Sequence, residues 1–339
     1  MFFVMQGVLA EVTRGGRVES FHMGRAVVTD GRGEVVWSCG DVVSPVFPRS
    51  TVKALLALPL VESGAAARLG LTDAELALAC ASHGGEPLHA ETASNMLERV
   101  GRDVGCLECG THWPTYTEAA YDLAARHARP SALHNNCSGK HAGLICLACD
   151  QGIDPQGYVQ PFHPVQRQVT EALEILTGAP HTADYRGVDG CSMPTYAIPL
   201  KALARGFARF GSGEGLSGGQ NDAARQLREA VAAKPFMVAG SGRFDTRLMN
   251  HFGTRVFCKM GAEGMMVASV PQLGLGIAIK TDDGANRAAE VALPALLQRF
   301  GHAIWSDSDR ILLEELAQQP LRNWNGIDVG AVRAAKELI

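Results

Sequence analysis

The chain has 339 residues, 46% of them hydrophobic, which is enough to bury a sizeable core and excludes disorder over most of its length. Its 31 basic and 35 acidic residues leave a net charge of -4 with no broad cationic face, so nucleic acid is not an expected partner. Residues 1–6 lack a basic leader segment, apolar runs such as 54–61 fall far short of a membrane span, and nine irregularly spaced cysteines do not form a disulfide framework; the expectation is an unexported, cytoplasmic protein with reduced thiols, some of them held by metal, and no membrane partner.

In chain order, the β-rich runs 26–29 and 34–37 flank Asp30-Gly31-Arg32-Gly33, which predicts a hairpin. Thr72 and Glu75 match a capping box at the start of a helix over 71–81. Helical patterns follow at about 86–100, 117–128, 139–150, 163–177, 195–210 and 220–234. The glycine- and serine-rich stretch 210–219 reads as an exposed loop rather than a linker between domains. Strand signals return at 255–259, 265–270 and 275–280, two helical runs lie around 285–300 and 308–318, and a short strand is expected near 327–329. The pattern predicts an α/β (α+β) fold in one domain over 1–339. An antiparallel sheet is built from both termini, about 1–45 and 250–335, and the middle, about 50–250, is mainly helical.

Five segments can carry chemistry. Ser50 and Lys53 sit at a helix start, where residues i and i+3 share a face and an amine can approach a hydroxyl and act as its base. Alone this spacing is short enough to recur by chance, and a capping serine before a solvated lysine is its ordinary meaning. Ser82 lies in the glycine-rich turn Ser82-His83-Gly84-Gly85, and Lys259 closes a strand before Gly261 and Gly264, which permit close backbone approach to a ligand. Residues 134–141, His-Asn-Asn-Cys-Ser-Gly-Lys-His, and 189–194, Asp-Gly-Cys-Ser-Met-Pro, are polar loops each holding a cysteine before the next element. Two such cysteines can share a soft metal, Zn²⁺ first, although local spacing does not show four ligands. Cys146 and Cys149 read as core on an apolar helical face, and Lys280-Thr281-Asp282 as a chance likeness to a Lys-Thr-Gly box.

Read together and in this order, the Arg49–Lys53 stretch, Ser82 and its turn, both cysteine loops and 259–264 resemble the class 3, rhizobial-type L-asparaginases. That resemblance implies a fold similar to serine β-lactamases, penicillin-binding proteins and glutaminases, a homodimer, and hydrolysis of L-asparagine to L-aspartate and ammonia. It further implies Ser50 as nucleophile with Lys53 beside it, Ser82 with Lys259 as a second Ser-Lys pair, and Cys137, Lys140 and Cys191 as zinc ligands. Arg49, His141 and Asp189 become members of the substrate or metal shell, with Arg49 suited to the α-carboxylate and Asp189 to the α-ammonium of the amino acid. The competing readings are a glutaminase, another β-lactamase-fold serine amidohydrolase, and a zinc-dependent amino-acid-binding module without turnover. Comparing asparagine with glutamine tests the first, and ammonia release tests the last.

Overall fold

The computed structural model describes residues 7–339, so the expectation of sheet over about 1–45 is addressed from Gly7 onward. Contacts divide the described residues into two compact units: 7–51, 198–214 and 258–339 form the first, and 52–197 with 215–257 the second. The first holds the sheet expected from the two termini, and the second is the mainly helical middle.

In the first unit the sheet is antiparallel throughout, in the order Gln318–Arg322, Asp328–Ala334, Gly7–Arg14, Arg17–Thr29, Leu275–Thr281, Met265–Val270 and Phe257–Met260, with Val35–Cys39 also paired to Arg17–Thr29. The long Arg17–Thr29 strand changes partners at Gly24: its first half pairs with Gly7–Arg14, and its second half with Leu275–Thr281 and Val35–Cys39. A side chain at Gly24 would overlap the Lys280 carbonyl, so the changeover requires glycine. The predicted hairpin turn is present, with Asp30 Oδ1 accepting from the backbone N–H groups of Arg32, Gly33 and Glu34 at 2.9 Å each.

Helices cover this sheet. Ala10, Val12 and Val332 from adjacent strands bury against Ala288 and Val291 of the Asn286–Gly301 helix. The Leu200–Ser212 helix settles where three strands present Thr29, Gly276 and Ser269 side by side, and any Cβ on Gly276 would run into the Ala204 carbonyl and the Ala208 amide. Here the sequence expectation needs correction. The helix expected over 195–210 starts at Leu200, because Pro199 ends the extended pair Ile198–Pro199, which bonds to Pro45–Val46; a second short strand, Pro194–Tyr196, precedes it. The glycine-rich stretch is also mostly helical, since Gly213 in the left-handed region closes one helix and Ser217 caps the next by a capping box with Gln220. The chain passes from the first unit to the second between Glu214 and Gly215.

The second unit is organised around the Ser138–Asp150 helix, buried from Ser138 to Ala148. It packs against Pro87–Glu98 and Asp73–Ala79, the latter opened by the predicted capping box of Thr72 and Glu75. A Cβ on Gly139 would overlap the Leu78 side chain and carbonyl, and one on Gly143 would crowd Ala79. The start of one helix therefore touches the end of the other, which fixes where the loops leaving those ends must lie. Among the described residues, no helix is long and apolar enough to cross a membrane.

Candidate active site and cysteine pair

Because Gly139 seats the Ser138–Asp150 helix on the end of Asp73–Ala79, the residues just outside those ends become neighbours. Ala81 and Ser82 follow one helix and Cys137 caps the other. The buried Lys53 side chain, from the first turn of the Lys53–Leu56 helix, reaches all three. Its Nζ donates to Ala81 O at 2.6 Å, Ser82 Oγ at 2.7 Å and Cys137 Sγ at 3.1 Å. A lysine ammonium has three protons and no lone pair, so these acceptors use all of them. Ser82 thus has a lysine partner, Lys53, that sequence reading assigned to Ser50.

The Ser82 turn is held from both sides. Ser82 N–H donates to Val238 O at 2.8 Å, and His83 N–H to Asn136 O at 3.2 Å. The His83 ring is fully buried, takes the Gly85 N–H on Nδ1 at 3.1 Å and lies 3.0 Å from Ser138 Oγ through Nε2, while the Ser138 hydroxyl donates to Leu133 O at 2.8 Å. That accounting makes His83 neutral with its proton on Nε2. Burial first, then the charges of His89 and Lys53, hold it well below the usual histidine range. On its other face the ring stacks on His89, which stacks on Phe236.

The cysteine loop is equally fixed. Asn135 donates through Nδ2 to Cys109 O at 2.9 Å and accepts the Cys137 N–H on Oδ1 at 2.9 Å, and His112 Nε2 accepts the Asn136 N–H at 3.0 Å. Cys191 comes from the turn of the Arg186–Val188 and Pro194–Tyr196 hairpin, tightened by Asp189 N–H on Met193 O at 2.8 Å and by Ser192 in the left-handed region. Lys140 Nζ meets Cys191 Sγ at 3.0 Å, and the two sulfurs hydrogen-bond to each other. The pair is electrostatically split. The bond from Cys191, opposed by burial and assisted by the Lys53 and Lys140 ammonium groups, holds the Cys137 thiol well below its usual range. The same bond and burial push Cys191 up. Burial opposes the charge of Lys140, but the neighbouring sulfurs outweigh it and raise that amine. His141, next on the same helix turn, is pushed down to about 4, chiefly by burial.

The predicted metal ligands Cys137, Lys140 and Cys191 are therefore brought together, with Asp189 close enough to act on Lys140. Two sulfurs and an amine are a donor set that suits a soft divalent cation. Among the described residues, no group of three or more His, Cys, Asp and Glu side chains forms a metal site, and the third donor of this set is a lysine.

In the first unit, Arg49 and Ser50 lie in the 3₁₀ turn Arg49–Val52, half-buried, with Arg49 at φ 51°, a strained value for a residue with a side chain. Thr51 donates to Pro48 O through both N–H at 3.2 Å and Oγ1 at 2.7 Å. Lys259 lies in the buried Phe257–Met260 strand, donates to Met260 O at 2.7 Å, and is followed by Gly261, where a Cβ would press on Thr51 and the Pro48 carbonyl. The stretch bearing Ser50 thus rests on the turn just after Lys259. Lys280 donates to the backbone carbonyls of Glu263 and Thr281. Sequence reading missed Tyr158, whose hydroxyl lies 2.6 Å from His141 Nδ1; a lone tyrosine in a loop carries no spacing signal.

The family model for L-asparaginase II matches residues 10–334. The chain belongs to that family. As a member it is an L-asparaginase-type amidohydrolase acting on a small molecule. Similar solved structures include a β-lactamase from Mycobacterium bovis, at 15% identity and TM-score 0.39 over 82% of this chain and 94% of that one. Another is Mglu, at 13% identity and TM-score 0.38 over 84% and 68%, with its native form at 15% and 0.37 over 88% and 69%. A search of curated proteins finds no match.

Proposed function

We propose that this L-asparaginase family member hydrolyses L-asparagine to L-aspartate and ammonia by acyl transfer through a serine, with two Ser-Lys pairs sharing the proton traffic. The observation that carries the reading is Lys53 Nζ at 2.7 Å from Ser82 Oγ, three residues along the chain from Ser50. In this mechanism Lys53 first gives up one of its three ammonium protons, and the resulting free amine takes the proton of the Ser50 hydroxyl as that oxygen attacks the side-chain amide carbon. The tetrahedral intermediate expels ammonia after protonation through Ser82. Water then cleaves the aspartyl ester and returns the proton to Ser50. Lys259 is the second amine, and Arg49 and Asp189 hold the α-carboxylate and α-ammonium.

Cys137, Lys140 and Cys191 would hold Zn²⁺, which when bound supplies charge neutralisation for the two sulfurs and a Lewis-acid grip that organises the pocket. The working form is a cytoplasmic homodimer. The test is ammonia release from L-asparagine and L-glutamine by purified protein and by Ser50→Ala and Ser82→Ala. Turnover of asparagine that disappears in Ser50→Ala supports the reading. Near-full turnover in Ser50→Ala with loss in Ser82→Ala exchanges the two serines, and faster glutamine hydrolysis makes the protein a glutaminase.

A further inference from the structure

Tyr158 is fully buried and fixed on several sides. Its N–H donates to Pro155 O at 3.0 Å, its carbonyl accepts from Gln166 Nε2 at 2.7 Å, and its phenolic oxygen accepts the Glu108 N–H at 2.9 Å. The same oxygen lies 2.6 Å from His141 Nδ1, with the rings crossed at 78°. Two proton arrangements fit that contact. If Nδ1 carried the ring proton, the phenolic oxygen would accept two N–H groups and its own buried O–H would have no acceptor. If the phenol donates to Nδ1, every proton at the oxygen is used and the ring proton sits on Nε2. The second arrangement satisfies the buried phenol, which the first leaves without an acceptor.

The consequence falls at the other end of the ring. His141 Nε2 is buried without a hydrogen-bond partner, and the ring belongs to the residue next to Lys140, whose amine meets Cys191 Sγ at 3.0 Å. The ring has no exposed surface. We propose that Tyr158 is a positioning residue that locks His141 as the Nε2–H tautomer, so that a fixed donor faces the Cys191 sulfur in its metal-binding form. This gives His141 a place behind the cysteine pair, and it rests on the zinc reading above.

Outer donors that orient a ligand in this way typically change metal affinity by about 10–100-fold when removed. The experiment compares the full-length wild type with Tyr158→Phe and His141→Leu. In metal-free protein, long-range ¹H–¹⁵N correlation of the His141 ring, identified by its absence in His141→Leu, is expected to show Nε2 protonated in the wild type and a mixture in Tyr158→Phe. Competition with a chromophoric chelator is expected to show zinc held about 10–100-fold more weakly by both variants. A wild-type ring protonated on Nδ1 overturns the proposal, as does a Tyr158→Phe protein that folds and binds zinc within about threefold of the wild type. A wild type that binds no zinc overturns the role toward Cys191 and the zinc reading together, while the metal-free ring spectrum still decides whether Tyr158 sets the tautomer.

Discussion

Replacing Lys53 by methionine keeps the length and apolar stem of the side chain and removes all three donors. The acceptors left behind are Ala81 O, Ser82 Oγ and Cys137 Sγ. Hydrogen bonds from a charged donor contribute about 1.5–3 kcal/mol each, but the substitution also removes the cost of burying the ammonium, so the net loss is smaller than their sum. Cys137 can take up a proton once its counter-charge is gone, which leaves mainly an unpaired carbonyl and hydroxyl. Destabilisation of about 2–4 kcal/mol is expected, within the stability of a typical domain, so the variant should remain folded at 25 °C. Loss of a positioned base lowers kcat by about 10²–10⁴-fold. The assay pairs initial rates of ammonia release with the urea unfolding midpoint. A folded Lys53→Met protein with kcat within about tenfold of the wild type would refute the base assignment.

Gly139→Ala forces the Ser138–Asp150 helix away from Leu78 and should lower stability by about 1–3 kcal/mol, with kcat falling as Ser82 and Cys137 separate; unfolding midpoints and rates measured together check this. His83 titrates far below 6.5 when folded and near 6.5 when unfolded, so below pH 6.5 the unfolded chain binds a proton that the folded one does not. Unfolding free energy should therefore fall as the solution is acidified below pH 6.5, by about 1.4 kcal/mol per pH unit from this residue, and the pH slope of the urea midpoint should flatten in His83→Gln. Chelation of zinc is expected to raise KM for L-asparagine with little change in kcat; turnover abolished while substrate binding and fold persist would move the metal to the centre of the chemistry. Cys191→Ala should behave like chelation, whereas Cys137→Ala should also lower kcat, because only Cys137 shares the Lys53 amine.

Local rules reached the elements whose signals are local. The Thr72–Glu75 capping box, the Asp30 turn and the helix after Cys137 depend on residues within a turn of each other, and the structure has each of them. The Gly7–Arg14 and Arg17–Thr29 hairpin was open to the same reading, since Gly15 and Gly16 both take positive φ in its two-residue turn, but its polar, half-exposed strands hide the alternation. The two cysteine loops stood out as dense polar segments, and the structure brings them together with Lys140 Nζ 3.0 Å from Cys191 Sγ. The choice of those partners was not legible: that Lys53 reaches Ser82 follows from Gly139 meeting Leu78, a contact between helices 61 residues apart in sequence. Tyr158 was invisible for the same reason, since its meaning lies in a ring brought to it by another helix.

The direction of the hydrogen bonds at Lys53 also distinguishes the two hydroxyls. A carbonyl can only accept, so Ala81 O takes one ammonium proton, and the remaining two go to Cys137 Sγ and Ser82 Oγ. Ser82 must then accept from Lys53, which leaves its own proton free to point elsewhere. A serine in that state is arranged to give a proton away while drawing on the ammonium behind it, the property required for protonating a departing amine. A nucleophile requires the reverse, a hydroxyl that donates to the amine. Proton direction at Lys53 therefore fits the relay role proposed for Ser82.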